Sequence, residues 1–459
     1  MTAEEKREKV AALKKKIDDV QAEYDRAKAM QLALKLVING TYGAFAHPKF
    51  VLSNSHIANA ITAMGRDVIN YMLKEIEKYF YKEWHLDTAA HQKLGVEYIA
   101  EKSGKFYLLS RDGENIHYPH ESLEVLLSKL NIYKNDLKTD EKQLGDYAVK
   151  YRRDIHDFTN VEAIPANKPI IIYGDTDSLY VSFAPVIESC NYNGDELDFI
   201  LHLDRVIIKK IFTKYLDVYA KRFGVKNLHD FELETINRSA LHIQKKHYIN
   251  NVAWEDGIFF ENLSYFYPKG VEIVKSSTPL FVRENIYDFL RYLFSHPSEA
   301  AANDPAFTRQ VLKQIKELKR QFMIADIEDI SMTISCSNYS TKVLDDVTDV
   351  VTVKGAHFAV KAAALHNYLL NRNSGYKIKY DTIKGGRIKY YYCLHPKNNV
   401  FGYQRGFHPY EITEKEGVKI DYDEQFDVCF LSIINRFLEP IGLPTINKRL
   451  RVLDGIFRF

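Results

Sequence analysis

Only four cysteines occur in 459 residues, at Cys190, Cys336, Cys393 and Cys429, and none has a CxxC or Cys/His spacing. That argues against a zinc site or a disulfide framework and fits a reducing cytosol. No apolar run is long enough to span a bilayer, so no membrane partner is expected. The N-terminal MTAEEKREKV has the charge and pattern of a helix, not of a signal peptide. A charge excess is missing too. Lys and Arg number 63 against 61 Asp and Glu, a net +2, so a polyanionic partner has to be read from local clusters. Repeats and low-complexity segments are absent. What is present is an ordinary globular composition, 46% hydrophobic and 27% charged, rich in Tyr (31) and Phe (26). The length suits roughly two to four domains.

The densest signal is Lys168 to Phe183, KPIIIYGDTDSLYVSF. Ile170, Ile171 and Ile172 form a short β-branched run that predicts a buried strand. Leu179, Val181 and Phe183 then alternate with Ser178, Tyr180 and Ser182, the period of a strand with one buried face. Gly174, Asp175, Thr176 and Asp177 between them predict a tight turn, hence a β-hairpin with two carboxylates at its tip. Two such acids repel unless a cation sits between them, and Mg²⁺ is held by one or two carboxylates plus substrate phosphates. Gly174 would let a large ligand approach the backbone. An Asp-rich turn alone has a plainer explanation, because turns favour Asp; the whole YGDTDS string between apolar strands is more specific.

Val10, Leu13, Ile17, Val20 and Tyr24 alternate spacings of three and four, an a/d seam on a long helix that needs a partner. The helix continues into QLALKLVINGTYGAF, where Lys35, Asn39 and Tyr42 share a face at i, i+4 and i+7. Ser53 to Phe80 predicts another helix, with Ala60, Met64, Ile69 and Met72 among its apolar positions. Lys245-Lys246-His247-Tyr248 falls in a strand-like run, where adjacent lysines point to opposite faces. One could then reach phosphate while Tyr248 packs; a solvated edge strand reads the same. Arg309, Lys313, Lys316, Lys319 and Arg320 form a basic stripe. From Arg372 to Arg405, eight basic residues and one acid, Asp381, interleave with six tyrosines, a positive field suited to duplex phosphates.

Together these residues resemble B-family DNA polymerases, in particular those of T-even phages and their relatives. YGDTDS is similar to the palm motif that carries the metal-binding acids. Lys35, Asn39, Tyr42 and Gly43 match the fingers motif Lys-x-x-x-Asn-Ser-x-Tyr-Gly, whose lysine touches the incoming triphosphate while asparagine and tyrosine line the nascent base pair. Gly40 replaces the serine, so the helix is expected to end earlier. Lys245, Lys246 and Tyr248 resemble the KKxY element that grips primer-template. Lys269-Gly270 and Lys275-Ser276-Ser277-Thr278-Pro279 resemble the KG…SSTP palm–thumb junction. Lys269, Lys275 and Ser276 therefore join the DNA-binding candidates; Lys361 joins them because it opens the apolar helix HFAVKAAALHNY and could point at phosphate, although a solvated helix start reads the same. Leu453, Ile456 and Phe457 resemble a terminal tail that docks on a sliding clamp.

The resemblance implies an α+β fold: a palm with an antiparallel sheet carrying the YGDTDS hairpin, one long fingers helix and a mostly helical thumb. The expected segments are fingers 1–47, a palm helix region 48–82, an inserted subdomain 83–167, palm 168–269, thumb 270–448 and tail 449–459. Asp177 and Asp175 take catalytic and metal-holding roles, with two Mg²⁺ ions (or Mn²⁺) as cofactors and primer-template DNA and dNTP as partners. Three family parts have no counterpart: the DxxSLYPS-like aspartate string, the first fingers helix and the 3′–5′ exonuclease. The chain is therefore expected to be the C-terminal part of a split polymerase, cytoplasmic (host cytoplasm if viral). Its partner would be an N-terminal polymerase chain carrying the exonuclease and the missing aspartate. A rival from another class is a non-catalytic DNA-binding scaffold descended from a polymerase. Intact Asp175, Asp177, Lys35 and Tyr42 weigh against it. A reverse transcriptase shares acid-bearing hairpins but not the Lys35…Tyr42 motif or KKxY.

Overall fold

Strong helix formers dominate the first 46 residues, and Ala3–Ala46 is one helix of 44 residues, about 66 Å long. The computed structural model describes residues 3–115, 119–175, 178–296, 304–337, 339 and 357–449. The helix does not end early at Gly40. Neither Gly40 nor Gly43 takes a positive φ, and the Thr41 hydroxyl donates to the Val37 carbonyl at 2.9 Å. Each glycine weakens the helix by only about 1 kcal/mol.

This helix is almost wholly uncovered. Of the predicted seam, Val10, Val20 and Tyr24 are exposed; the side chains of Leu13 and Ile17 lie outside the described residues. Met30, Leu32, Leu34, Leu36, Val37 and Ile38 follow at 57–69% exposure. A helix apolar on several faces is normally a buried one.

The chain divides into two units, Met1–Glu232 and Leu233–Phe459. Every strand pairing among the described residues is antiparallel, and helices and sheets occur in both units, so the class is α+β. In the first unit, the helix Ser55–Lys78 starts at Asn54, whose side chain accepts from the His56 and Ile57 amides. It buries Ala58, Val68, Met72 and Ile76, not the face through Ala60 and Met64. The reason is positional: the core lies under the second half of the helix, and Ile57, Ile61 and Met64 remain exposed. That core gathers Trp84, Phe199, Leu203 and Leu216 around the helix and the hairpin strands.

The segment 83–167 contains a five-stranded sheet built on Val96–Lys102, which pairs with Lys105–Ser110 and Tyr147–Asp154. One face, through Ile99 and Leu108, packs on Leu126, Leu127 and Ile132; the other carries Tyr98, Ala100, Leu109 and Val149. A buried charge cluster ties it to the helical segment that follows the hairpin. Glu97, 1% exposed, meets His202 at 2.5 Å and Arg205 at 2.9 Å, and Arg153 bridges to Asp198.

In the second unit, Thr235–Gln244, His247–Glu255, Ile258–Phe259 and Phe266–Lys269 form one sheet. Met332–Cys336, Gly386–Leu394, Val400–Gln404 and Lys419–Ile420 form another. Helices Leu280–Phe294 and Pro305–Ile324 enclose a phenylalanine-rich core with Phe281, Phe322, Phe426 and Phe430. The helix Phe358–Asn371 lies on the second sheet.

Candidate active site and nucleic-acid interface

The predicted hairpin forms. Ile171–Asp175 pairs with Ser178–Val181, in the register Gly174↔Leu179 and Asp175↔Ser178. Leu179, Val181 and Phe183 face the core of the first unit. Ile170 is fully buried, but Ile172 is 46% exposed, because a bulge between Ile171 and Tyr173 breaks the alternation. Tyr81 anchors the strand entry: its hydroxyl donates to the Lys168 carbonyl at 2.7 Å and accepts from the Ile170 amide at 3.2 Å. Nothing in the sequence string marked Tyr81 for this role.

Of the two acids, Asp175 ends the first strand, and its side chain lies outside the described residues, as do Thr176 and Asp177. A Cβ at Gly174 would meet Leu73 at 3.7 Å, Leu179 at 3.8 Å and Ile69 at 3.9 Å, all ordinary contacts. Packing therefore does not require glycine there. Among the described residues no group of three His, Cys, Asp or Glu could hold a metal. The chemistry of the donor set, two carboxylates two positions apart in the chain, still suits a hard divalent cation.

Lys35, Asn39 and Tyr42 occupy the last turns of Ala3–Ala46, all exposed. Among the described residues no hydrogen bond, ion pair or ring contact joins them to the hairpin.

In the second unit the structure unites two motifs that are far apart in sequence. Lys245 and Lys246 are not in a strand. They are the two-residue turn between Thr235–Gln244 and His247–Glu255, with Gln244 opposite His247. The opposite-faces argument therefore fails: Lys246 has φ 64, and both lysines are exposed at a tip. Tyr248 is 2% exposed and pairs across the sheet with Lys269, whose Nζ sits 5.6 Å above the Tyr248 ring. Gly270, at φ +70, passes so close to the turn that a Cβ would lie 2.1 Å from the Lys246 carbonyl oxygen. KKxY and KG are thus one structural cluster. Its cations sit on a rigid aromatic base.

Lys275 pairs with Glu272 at 3.5 Å, and Glu272 also binds Arg436. Ser276 accepts a hydrogen bond from Arg387 at 3.0 Å. In the sequence Arg387 is only one member of a basic run. Lys361 is half-buried in the first turn of Phe358–Asn371, its carbonyl accepting from Asn398. The 372–405 field is weaker than its composition implies. Lys379 pairs with Glu411, Lys389 with Glu328 and Arg372 with Glu416, and Tyr376, Tyr390, Tyr391 and Tyr403 are buried core. On Pro305–Ile324, Lys319 pairs with Asp423 and Arg320 with Glu317. Leu453, Ile456 and Phe457 lie outside the described residues.

The site features that the described residues supply are thus a hairpin ending at Asp175, an uncovered helix with a Lys/Asn/Tyr face and a lysine-tipped sheet. Residues 4–441 match the profile of DNA polymerase family B, and the chain belongs to that family. It is also 49% identical over 65 residues to a protein of Marchantia polymorpha described as "Uncharacterized mitochondrial protein ymf29". That match covers 13% of this chain and 31% of the relative.

Proposed function

We propose that this chain is the C-terminal part of a DNA-directed DNA polymerase, completed by a second chain that carries the other palm aspartate and the exonuclease. The observation that carries the reading is the hairpin, whose register brackets the acidic turn in a chain of this family. Divalent cations bound at Asp177 and Asp175, two Mg²⁺ or Mn²⁺, would neutralise phosphate charge and activate the attacking hydroxyl. Lys35 lends positive charge to the incoming triphosphate, and Asn39 and Tyr42 test the shape of the new base pair. Lys245, Lys246 and Lys269, backed by Tyr248, bind primer-template phosphates; Lys275, Ser276 and Lys361 extend that grip. Residues 1–47 act as fingers, 48–82 and 168–269 as palm and 270–448 as thumb, with 83–167 inserted. The KG…SSTP run supports the T-even type, and Leu453, Ile456 and Phe457 of the 449–459 tail dock on a sliding clamp. The relative's description supports a mitochondrial address beside the cytoplasmic one; cell fractionation separates the two.

The uncovered apolar helix supports the need for a partner. Burying six such side chains offers roughly 1.5–3 kcal/mol each. The test is primer extension on a recessed-end duplex with dNTPs and Mg²⁺, using the chain alone and with each protein that co-purifies from its source. Template-dependent synthesis in at least one pairing, abolished by Asp177→Asn, is expected. Duplex binding without synthesis in any pairing would favour the scaffold. Assembly should be lost in the double variant Leu13→Glu/Ile17→Glu; its survival would end the seam-pairing reading.

A further inference from the structure

We propose that the outward face of the helix Lys209–Arg222 is a second, sequence-independent track for nucleic-acid phosphates, in addition to the lysine-tipped sheet. The helix is fixed by its inner side. Tyr215, Leu216, Tyr219 and Ala220 are buried, the Tyr219 hydroxyl donates to Asp67 at 2.6 Å, and the Arg222 guanidinium lies 4.4 Å above the Tyr71 ring. The outer side lines a shallow groove of about 580 Å³ with Lys209, Lys210, Thr213, Lys214 and Lys221, against a single carboxylate, Asp217.

What sets these lysines apart is that four of them line one groove that holds a single carboxylate. Some exposed lysines of the unit are paired, Lys78 with Glu83, Lys102 with Asp146, Lys138 with Asp154 and Lys150 with Glu101. Among the described residues no carboxylate lies within ion-pair distance of Lys209, Lys214 or Lys221. Lys210 pairs with Glu114, which fixes one end of the track against the 83–167 segment. Lys210 and Lys214 stand at i and i+4, a spacing at which like charges repel. An external anion relieves that repulsion.

The ligand class follows from shape and chemistry. Lys209 to Lys221 spans about 18 Å along the helix, about half a turn of duplex. No aromatic side chain lines the groove, so contact is with backbone phosphate and not by base stacking. The groove has one apolar residue, Val218, where a membrane-binding face needs a broad apolar side.

The test uses the full chain and fluorescence anisotropy with a blunt duplex and with a single strand, titrated over KCl. It requires no synthesis, so its outcome is readable whether or not the polymerase reading holds. The variant Lys209→Ala/Lys214→Ala/Lys221→Ala is compared with Lys102→Ala/Lys138→Ala/Lys150→Ala, which removes equal charge from paired lysines. Weaker binding to either nucleic acid is expected only in the first variant. Its log Kd against log salt slope should fall by about 2–3, because each phosphate contact contributes about 0.9. Thermal melting should be unchanged, since the lysines are exposed. Equal slopes in the two variants, or a loss of polyglutamate binding without loss of DNA binding, would overturn the proposal.

Discussion

Gly270 carries the tightest steric constraint among the candidate site residues. Its positive φ excludes most side chains, and a Cβ would overlap the Lys246 carbonyl oxygen at 2.1 Å. Backbone atoms cannot swing aside as a side-chain tip can, so the turn itself would have to move. Gly270→Ala should therefore lower the stability of the second unit by roughly 2–4 kcal/mol, from the left-handed backbone and the overlap together. It should also weaken duplex binding; chemical denaturation with a binding titration checks both. Gly174 is the opposite case. A methyl there would make contacts of 3.7–3.9 Å, all to side chains, so Gly174→Ala should unfold within about 1 kcal/mol of the parent. If the glycine serves close approach of substrate to the acidic turn, nucleotide addition should nonetheless fall at least tenfold. An unchanged turnover would remove that role from Gly174.

Among elements, the hairpin was legible because two independent patterns agreed: alternation after the turn and Gly/Asp chemistry within it. The lysine turn was not. Lys245-Lys246 has none of the Asn-Gly or Gly-rich character that marks a two-residue turn, and the apolar pattern on both sides ran through it as one strand. The constraint that permits it, Gly270, is 24 residues from Lys246 in sequence and reaches it only through the pairing of Phe266–Lys269 with His247–Glu255. The tyrosines of 372–405 misled for a related reason: composition cannot say which face of a strand is inside. Glu97 shows the same limit for charge, since a buried carboxylate looks like a surface one in a sequence. Burial would raise its pKa, but the His202 ring and the Arg205 and Arg153 guanidiniums hold it well below the ordinary carboxylate range. Glu97→Gln leaves those cations without their anion at the join between the 83–167 sheet and the helical segment. It should cost the first unit roughly 3–5 kcal/mol at neutral pH, read by denaturant unfolding. The advantage of the ionised carboxylate is present above the ordinary value of 4.5 and is lost as pH falls below it, so parent and variant should converge in acid.

Across the whole molecule, acid should act unevenly, because the large shifts of groups that titrate in mild acid have opposite signs in the two units. In the second unit His366 Nε2 donates to the Asp381 carbonyl, 3.2 Å away, and His408 lies 3.2 Å from the Tyr391 hydroxyl among Phe401, Tyr403 and Tyr410. Burial lowers both rings from 6.5 to about 4. A base whose folded pKa is depressed is bound neutral, so the folded unit loses stability as pH falls from about 6.5 towards 4 and is indifferent above that window. Between pH 6.5 and 5 the loss is on the order of 2 kcal/mol for each ring. In the first unit Asp204, pushed up to about 6 by burial despite Lys209 and Arg205, has the opposite sign. Its folded form prefers the proton, so it favours folding as pH drops from about 6 towards the ordinary 3.8. Glu97 adds its penalty only below 4.5. Hydrogen exchange at pH 7 and pH 5, corrected for intrinsic rates, should therefore show peptides from 357–449 losing protection while those from 196–222 hold theirs. Substituting His366→Gln and His408→Gln should flatten the difference, and equal losses in both units would contradict the assignment.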